Sequence, residues 1–364
     1  MKFTIDQREL ERVLSELTPF LDKNNDSFRA NYYLIAKDNT LTIQATNLKI
    51  GLSVIIRPDI IEQDGSTLVD GARFLKVVKS FKRDSITCEL ISNELLVKQG
   101  RSKFKVKVNT NTKAFYTFPT SQDMSKVNFN GQLLKSGFET IIPSIDGNSP
   151  KYELTGGLVS ISEKNITFVS TDTKRLTIVE ETLEEENSSD LEFIIPRPAM
   201  IEIPKLFDGD IEFLYNEEFV IIENKEKFFF TKLVSGTYPV WKRIVPKELA
   251  YEFSLNKIEI IEKIKLISSV SSSIKISFTK KGITFKTLDY QNVNSEAETF
   301  IEMELTIPES FELGTNSRFI MDFLNHIDND SEEFTFGFNK ANRPFVLLNK
   351  NIKSVIMPIN IDGE

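Results

Sequence analysis

The amino-acid sequence predicts an α+β chain of three tandem domains of like design, because three segments each occur three times in the same order. The first segment is a strand running into a helix start: Phe3-Thr4-Ile5-Asp6-Gln7-Arg8-Glu9-Leu10, Phe129-Asn130-Gly131-Gln132-Leu133-Leu134 and Phe253-Ser254-Leu255-Asn256-Lys257-Ile258, at steps of 126 and 124 residues. Asp6, Asn130 and Asn256 stand where an N-cap side chain can accept free amides of the first turn. The second is a strand cassette: Asn39-Thr40-Leu41-Thr42-Ile43-Gln44-Ala45-Thr46, Asn165-Ile166-Thr167-Phe168-Val169-Ser170-Thr171 and Gly282-Ile283-Thr284-Phe285-Lys286-Thr287. Leu41, Ile166 and Ile283 are 125 and 117 residues apart. Each copy leaves a turn residue and alternates large apolar side chains with Thr, the period of a half-buried strand. The third is a helix carrying Arg73-Phe74-Leu75-Lys76-Val77-Val78, then Ala199-Met200-Ile201-Glu202-Ile203, then Arg318-Phe319-Ile320-Met321-Asp322-Phe323. Each third therefore reads helix, strands, helix, strands. A solenoid unit has only ~20–50 residues, so these are whole domains, expected at 1–122, 123–249 and 250–364 with boundaries near Phe118-Pro119-Thr120-Ser121-Gln122 and Pro246-Lys247-Glu248-Leu249.

Composition removes several function classes. The chain has 364 residues, with 45 Lys and Arg against 53 Asp and Glu, a net charge of −8. A globally basic nucleic-acid binder is excluded, although cations gathered on one face still act through local potential. The single cysteine, Cys88, excludes a disulfide scaffold and a Cys-rich zinc site and points to a reducing compartment. The single histidine, His326, reads as the end of an amphipathic helix (Phe323-Leu324-Asn325-His326-Ile327-Asp328), where the dipole favours a cation. A two-His metal site is impossible. The start, Met1-Lys2-Phe3-Thr4-Ile5-Asp6, does not read as a signal peptide, and no apolar run approaches the ~20 residues of a membrane span. A cytoplasmic protein is expected, with no catalytic, metal-ligating or cofactor-binding residues and no membrane partner.

The cations cluster on candidate helices. Arg73, Lys76, Lys79 and Arg83 are spaced three, three and four apart, which stacks them on one helical face opposite Phe74, Leu75, Val78 and Phe81. Lys263 and Lys265 lie on the helix beginning at Lys257, and Arg8 and Arg12 on the first helix. Basic helices are thus expected at equivalent places in all three domains, forming a surface that attracts phosphates without reading bases. The acidic excess falls in loops such as Glu184 to Asp190 and Asp328 to Glu333.

Five segments in register resemble the bacterial DNA polymerase III beta subunit family, the replication sliding clamps. Arg101-Ser102-Lys103-Phe104 resembles the strand closing that family's first domain. Ser170-Thr171-Asp172-Thr173-Lys174-Arg175-Leu176 resembles its Ala-Thr-Asp-Gly-His-Arg-Leu segment, and Ile195-Pro196-Arg197 its Val-Pro-Arg-Lys. Phe230-Thr231-Lys232-Leu233-Val234-Ser235-Gly236-Thr237-Tyr238-Pro239-Val240-Trp241-Lys242-Arg243 resembles its most distinctive stretch, and Val355-Ile356-Met357-Pro358-Ile359 its Val-Met-Pro-Met.

The resemblance implies clamp-type domains with helices inside and sheets outside, closed by a head-to-tail homodimer into a ring around duplex DNA. It implies a processivity factor within the DNA polymerase III holoenzyme, meeting the polymerase III catalytic subunit, the clamp loader, other polymerases and repair proteins. Those partners would dock short linear peptides in a cleft between the second and third domains. Carried over by position, the cleft contains Leu154, Thr171, Lys174, Arg175, Leu176, Pro239, Arg243 and Ile244, joined by Asn316, Phe319, Val355, Met357, Pro358 and Ile359. Lys23, Arg73, Lys76, Lys79, Arg83, Lys151 and Arg197 are expected to face DNA, with Phe104 and Val106 of one protomer meeting Leu266 and Ile267 of the other. Three segments depart from the family: Thr173-Lys174 replaces Gly-His, an acidic Asp362-Gly363-Glu364 tail follows Asn360-Ile361, and Asp22-Lys23-Asn24-Asn25-Asp26 replaces a Pro-Leu-Pro-type loop. The alternatives are a cytoplasmic β-rich scaffold that binds only protein, without encircling DNA, and a hydrolase using paired carboxylates.

Overall fold

A computed structural model describes residues 1–22, 28–183, 190–288, 296–327 and 332–361. The first third holds β1 (Lys2–Asp6), α1 (Gln7–Leu17), β2 (Asn31–Lys37), β3 (Thr40–Thr46), β4 (Ile50–Ile56), β5 (Ile60–Gln63), β6 (Gly65–Asp70), α2 (Gly71–Ser80), β7 (Ser85–Ile91), β8 (Glu94–Gln99) and β9 (Ser102–Asn109). The second holds β10 (Ser125–Asn130), α3 (Gly131–Ile141), β11 (Gly156–Ser162), β12 (Asn165–Thr171), β13 (Arg175–Thr182), β14 (Leu191–Pro196), α4 (Arg197–Leu206), β15 (Asp210–Tyr215), β16 (Phe219–Glu223) and β17 (Lys227–Lys232). The third holds β18 (Tyr251–Asn256), α5 (Lys257–Ser268), β19 (Ser273–Thr279), β20 (Gly282–Thr287), β21 (Glu298–Glu302), β22 (Phe311–Asn316), α6 (Ser317–His326), β23 (Glu333–Phe338), β24 (Phe345–Asn349) and β25 (Ile352–Ile356). The order is the same three times, and only the first third adds a strand, β5.

Local chemistry explains the recurrence. Asp6 accepts the amides of Arg8 and Glu9, and Asn256 that of Glu259, so the first helices of the outer thirds start on side-chain caps. Asp70 and Asn316 cap α2 and α6 in the same way. On α1, Leu10, Val13, Leu14 and Leu17 are buried, a stripe at i, i+3, i+4 and i+7 worth roughly 1.5–3 kcal/mol per side chain. The residue after the cap also ties the two helices of its third. Gln7 Nε2 donates to the Val78 carbonyl near the end of α2, and Lys257 Nζ to the Ile327 carbonyl just past α6. His326 closes α6 with Nδ1 2.6 Å from the Asp322 carbonyl.

The chain forms two compact units, residues 1–130 with 206–233 and residues 131–205 with 234–364. The first carries one antiparallel sheet of 13 strands in the order β10-β15-β16-β17-β4-β3-β2-β6-β9-β8-β7-β1-β5, with α1 packed on α2. The second carries an eight-stranded sheet, β14-β11-β12-β13-β25-β24-β23-β18, and a four-stranded sheet, β21-β20-β19-β22. Within it, α6 packs on both α5 and α3.

Two sequence expectations about charge change here. The helix of Arg73, Lys76 and Lys79 ends at Ser80, capped by Phe81, so Arg83 lies beyond it and shares no helical face with them. The expected recurrence of basic helices is also absent. Only α2 carries cations with no anion. Glu16 on α1 pairs with Arg12, Glu202 on α4 with Lys205, and α5 mixes Glu259 and Glu262 with its lysines. Reading the lysines without the glutamates one turn away overstated the charge. Lys23, the acidic run 184–189, residues 328–331 and the tail 362–364 lie outside the described residues.

Candidate functional site

The second unit gathers the expected cleft residues around the hairpin turn between β12 and β13. Thr171 Oγ1 accepts the Thr173 amide at 3.1 Å and donates to the Arg175 carbonyl at 2.6 Å. Asp172 Oδ1 accepts the amides of Lys174 and Arg175 at 3.0 and 2.9 Å. Thr173 occupies φ = 71°, the left-handed region costly for a β-branched residue, where the resembling family has Gly. The turn leaves Lys174 exposed and directs Arg175 inward, its side chain only 4% exposed.

Arg175 connects three segments, its own turn, α6 and a 3-10 turn. Its Nε donates to Asp172 at 3.1 Å, its Nη1 to Asp322 of α6 at 2.7 Å, and its Nη2 to the carbonyl of Pro143 in the 3-10 turn Ile142–Ser144. The guanidinium carbon lies 4.5 Å from the centre of the Phe319 ring, a cation–π contact out of water. Ser144 and Thr177, both buried, hydrogen-bond at 2.6 Å beside it.

The apolar part is built on the strand pairing that follows. Leu176 lies opposite Val355 across β13 and β25, and the two join Leu154, Tyr238, Val234 and Ile194 in one buried cluster. Burial pushes the Tyr238 phenol above its ordinary range. Trp241 packs against the cluster from the 3-10 turn Trp241–Arg243, its amide donating to the Pro239 carbonyl. Val240, Ile244, Met357 and Ile359 remain exposed nearby in sequence to these buried groups. Backbone bonds hold the C-terminal strap in place: the Met357 amide donates to the Lys174 carbonyl and the Ile359 amide to the Gly314 carbonyl, each at 2.9 Å. Gly314 is two residues before Asn316, whose side chain caps α6 and so sets where Phe319 begins its turn. The result is an apolar floor with exposed aliphatic edges and a few fixed polar groups, the composition of a ligand groove. Arg243 is exposed and Pro358 half-buried. Sequence reasoning missed Asp322, Tyr238 and Trp241. Asp322 had no signal, being 147 residues from its partner Arg175, whereas the aromatic pair flanking Pro239 and Val240 was visible and unassigned.

The cationic residues are exposed. Arg73, Lys76 and Lys79 share the outer side of α2, Lys82 and Arg83 follow it, and Lys151 and Arg197 are exposed in the second unit. Arg197 lies against the loop before Lys151, with its Cδ 4.0 Å from where a Cβ on Gly147 would stand. The expected interface residues divide. Phe104 and Leu266 are 42% and 62% exposed, whereas Val106 and Ile267 are 5% and 1% exposed and belong to the chain's own core. Leu266 and Ile267 are adjacent on α5 and point about 100° apart, so the two could not both face a partner. Phe104 and Val106 share one face of β9, and only Phe104 is open on it. Among the described residues no group of three or more His, Cys, Asp or Glu side chains could hold a metal, and no helix is long and apolar enough to cross a membrane.

Comparison with known proteins matches the chain to the DNA polymerase III beta subunit in three parts: its N-terminal domain over residues 1–114, its central domain over 128–240 and its C-terminal domain over 242–360. The beta sliding clamp of Helicobacter pylori strain J99 is 32% identical, over 99% of this chain and all of that protein. That of Chlamydia muridarum is 24% identical over the full length of both. The crystal structure of the Helicobacter pylori beta clamp bound to a DNA ligase peptide superposes with a TM-score of 0.88 at 32% identity, covering 99% of this chain and 100% of that one. The DNA polymerase III subunit beta from Pseudomonas aeruginosa shares the fold at a TM-score of 0.89 and 20% identity, over 99% and 100% of the two chains. The chain belongs to the DNA polymerase III beta subunit family, the beta sliding clamps.

Proposed function

We propose that this chain works as a DNA sliding clamp: two copies, head to tail, close a ring around duplex DNA, and partner proteins hold on through peptides docked in the groove around Leu176, Val355 and Phe319. The domains are then 1–122, 123–249 and 250–364, and the chain acts by topology and tethering without catalysing a reaction. Arg73, Lys76, Lys79, Arg83, Lys151 and Arg197 would make backbone contacts that carry no sequence information, as a moving ring requires. A closed ring turns weak phosphate contacts into long residence, because escape then requires opening an interface.

The observation that carries the reading is a pair of unfilled strand edges. β4 pairs with β17, placing Val54 opposite Lys227, and β13 pairs with β25, placing Val179 opposite Ile352. By the threefold repeat, the next such pair is β21 with β9. Yet among the described residues β21 pairs only with β20, and residues 102–107 of β9 pair only with β8. A second copy can supply the missing partner. Carrying the register over sets Thr299 opposite Ser102 of the second copy, Glu298 opposite Lys103 and Glu296 opposite Lys105. Opposite charges directly across a strand pair are favourable, and a heterologous contact of this kind closes into a finite ring. Phe104 and Leu266 are exposed apolar groups available to such an interface, as is Phe300 on β21 itself.

The test is retention on DNA. The wild-type chain, loaded at moderate salt, should stay on nicked circular DNA and run off the linear form; equal loss from both would overturn the reading. Lys103→Glu should give monomers in a mass measurement, and adding Glu298→Lys should restore dimers. Dimers unaffected by Lys103→Glu would overturn the register.

A further inference from the structure

Arg175 is the least exposed cation in the groove, and each of its three nitrogens already has a protein partner in Asp172, Asp322 or the Pro143 carbonyl. With its side chain only 4% exposed, the guanidinium leaves a ligand almost no surface to meet. Its effect must therefore pass through what it holds. Asp322 lies three residues after Phe319 on α6, one helical turn along the same face. Drawing Asp322 onto Arg175 fixes the rotation of α6 about its axis, and with it the direction of Phe319. The guanidinium also lies against the Phe319 ring itself, 4.5 Å from its centre. On the other side, the Pro143 carbonyl and the Ser144–Thr177 bond keep the Arg175 end of the link from moving.

We propose that Arg175 is a positioning residue of the groove: with Asp322 it sets the place and ring orientation of Phe319, and so governs peptide affinity without touching the peptide. The proposal rests on the reading of this groove as the peptide site. Arg175, carried over from the resembling family as a member of the cleft, acts behind the binding surface, and Asp322 becomes part of the site although no ligand meets it. A planar guanidinium suits this task because it presents fixed N–H directions to two carboxylates and a carbonyl while stacking on a ring, which a lysine cannot do.

The experiment uses the full-length chain, with the DNA ligase peptide of the Helicobacter pylori complex as probe and 4-fluorophenylalanine incorporated at position 319. Asp322→Asn is isosteric and lies at a side chain 21% exposed, so the chain should fold, as checked by circular dichroism. In the peptide-free protein, Asp322→Asn should shift the fluorine resonance at position 319. It should also weaken the peptide at least tenfold by calorimetry. Arg175→Met should do the same, and the double variant should be no weaker than the worse single, since both break one link. Arg175→Lys should fall between wild type and Arg175→Met. An unmoved fluorine resonance in Asp322→Asn overturns the proposal whatever the peptide does, because that measurement needs no ligand. Losses that add in the double variant also overturn it, since Arg175 would then contact the peptide independently. A wild-type chain that fails to bind the probe, with the resonance shifted as expected, overturns the groove's assignment and leaves the positioning intact.

Discussion

The turn from β3 to β4 and the turn from β12 to β13 have the same backbone and end in opposite chemistry. In the first, Thr46 Oγ1 accepts the Leu48 amide at 3.0 Å and donates to the Ile50 carbonyl at 2.9 Å, while Asn47 Oδ1 accepts the amides of Lys49 and Ile50. Thr171 and Asp172 repeat each bond. Leu48 and Thr173 share the left-handed conformation, at φ = 73° and 71°. The fifth residue differs. Ile50 is a buried apolar residue, whereas Arg175 is buried among two carboxylates, a carbonyl and an aromatic ring.

The strand pairs beyond the turns differ to match. Gly51 lies opposite Phe230, and a Cβ on Gly51 would stand 2.2 Å from that ring. Phe230 is fully buried and packs with Tyr116, Phe118, Phe219 and Phe228, so aromatic rings of the same unit fill the space beside this pairing. In the second unit, Leu176 and Val355 take the two positions, and neither reaches as far as a ring. Val240, Ile244, Met357 and Ile359 stay exposed there. One scaffold therefore ends in an aromatic-filled joint in one copy and in a Leu–Val pair with exposed aliphatic neighbours in the other, by exchanging a Gly–Phe pair for a Leu–Val pair and an Ile for an Arg.

The largest effect should come from removing the ring that fills the joint. Phe230→Ala should cost about 4 kcal/mol in denaturant unfolding, as for other fully buried aromatics. Gly51→Leu alone should cost about 3 kcal/mol by overpacking against the ring. Combined with Phe230→Val, which recreates the second unit's pair, it should cost less than the sum of the singles by at least 1 kcal/mol. Additive losses would mean the two pairings are not interchangeable solutions.

Exchanging the fifth residue should rank next. Arg175→Ile makes the second turn resemble the first but removes the guanidinium donor from Asp172 Oδ2, Asp322 and the Pro143 carbonyl. Both carboxylates keep about a fifth of their surface in water, 20% and 21%, which limits the cost to about 2 kcal/mol. The reverse change, Ile50→Arg, buries a cation at an apolar position and should cost more, about 3 kcal/mol. Equal losses for the two exchanges would remove the claim that the surroundings of Arg175 are built for it.

What the sequence disclosed and what it hid follow the same line. The repeats were legible because a strand face has period two and a cap has a fixed offset, both local properties. The groove residues came from resemblance, and the structure ties Leu176, Val355, Arg175 and Phe319 together through pairings more than 140 residues apart. Nothing local in Asp322 reveals its partner. The basic face of α2 was readable, but its end at Ser80, which separates Arg83 from it, depends on the extended conformation at Phe81. Burial of Ile267 was hidden because it sits beside exposed Leu266 and only the rotation of α5 decides which points inward. That of Val106 was hidden because it shares a strand face with exposed Phe104, so that no alternation distinguishes them.

Smaller effects sharpen the comparison at the turns themselves. Thr173→Gly should stabilise the chain by roughly 0.5–1 kcal/mol. The left-handed conformation costs an L-residue about 1–2 kcal/mol, partly offset by the greater freedom of glycine when unfolded. Leu48→Gly should gain slightly less, because Leu lacks the β-branch that aggravates the strain at Thr173.

Another small effect, and one smaller still, test the second residue of each turn. Asn47 and Asp172 accept the same two amides through Oδ1, but only Asp172 also receives an N–H from Arg175, at 3.1 Å on Oδ2. Asn47→Asp should leave stability within about 0.5 kcal/mol, since the turn needs an acceptor there and is indifferent to its charge. Asp172→Asn replaces the second acceptor with a donor facing the guanidinium and should cost about 1 kcal/mol. If the first substitution proved as costly as the second, the charge on Asp172 would have no special role, and the two turns would differ only in the residue they end on.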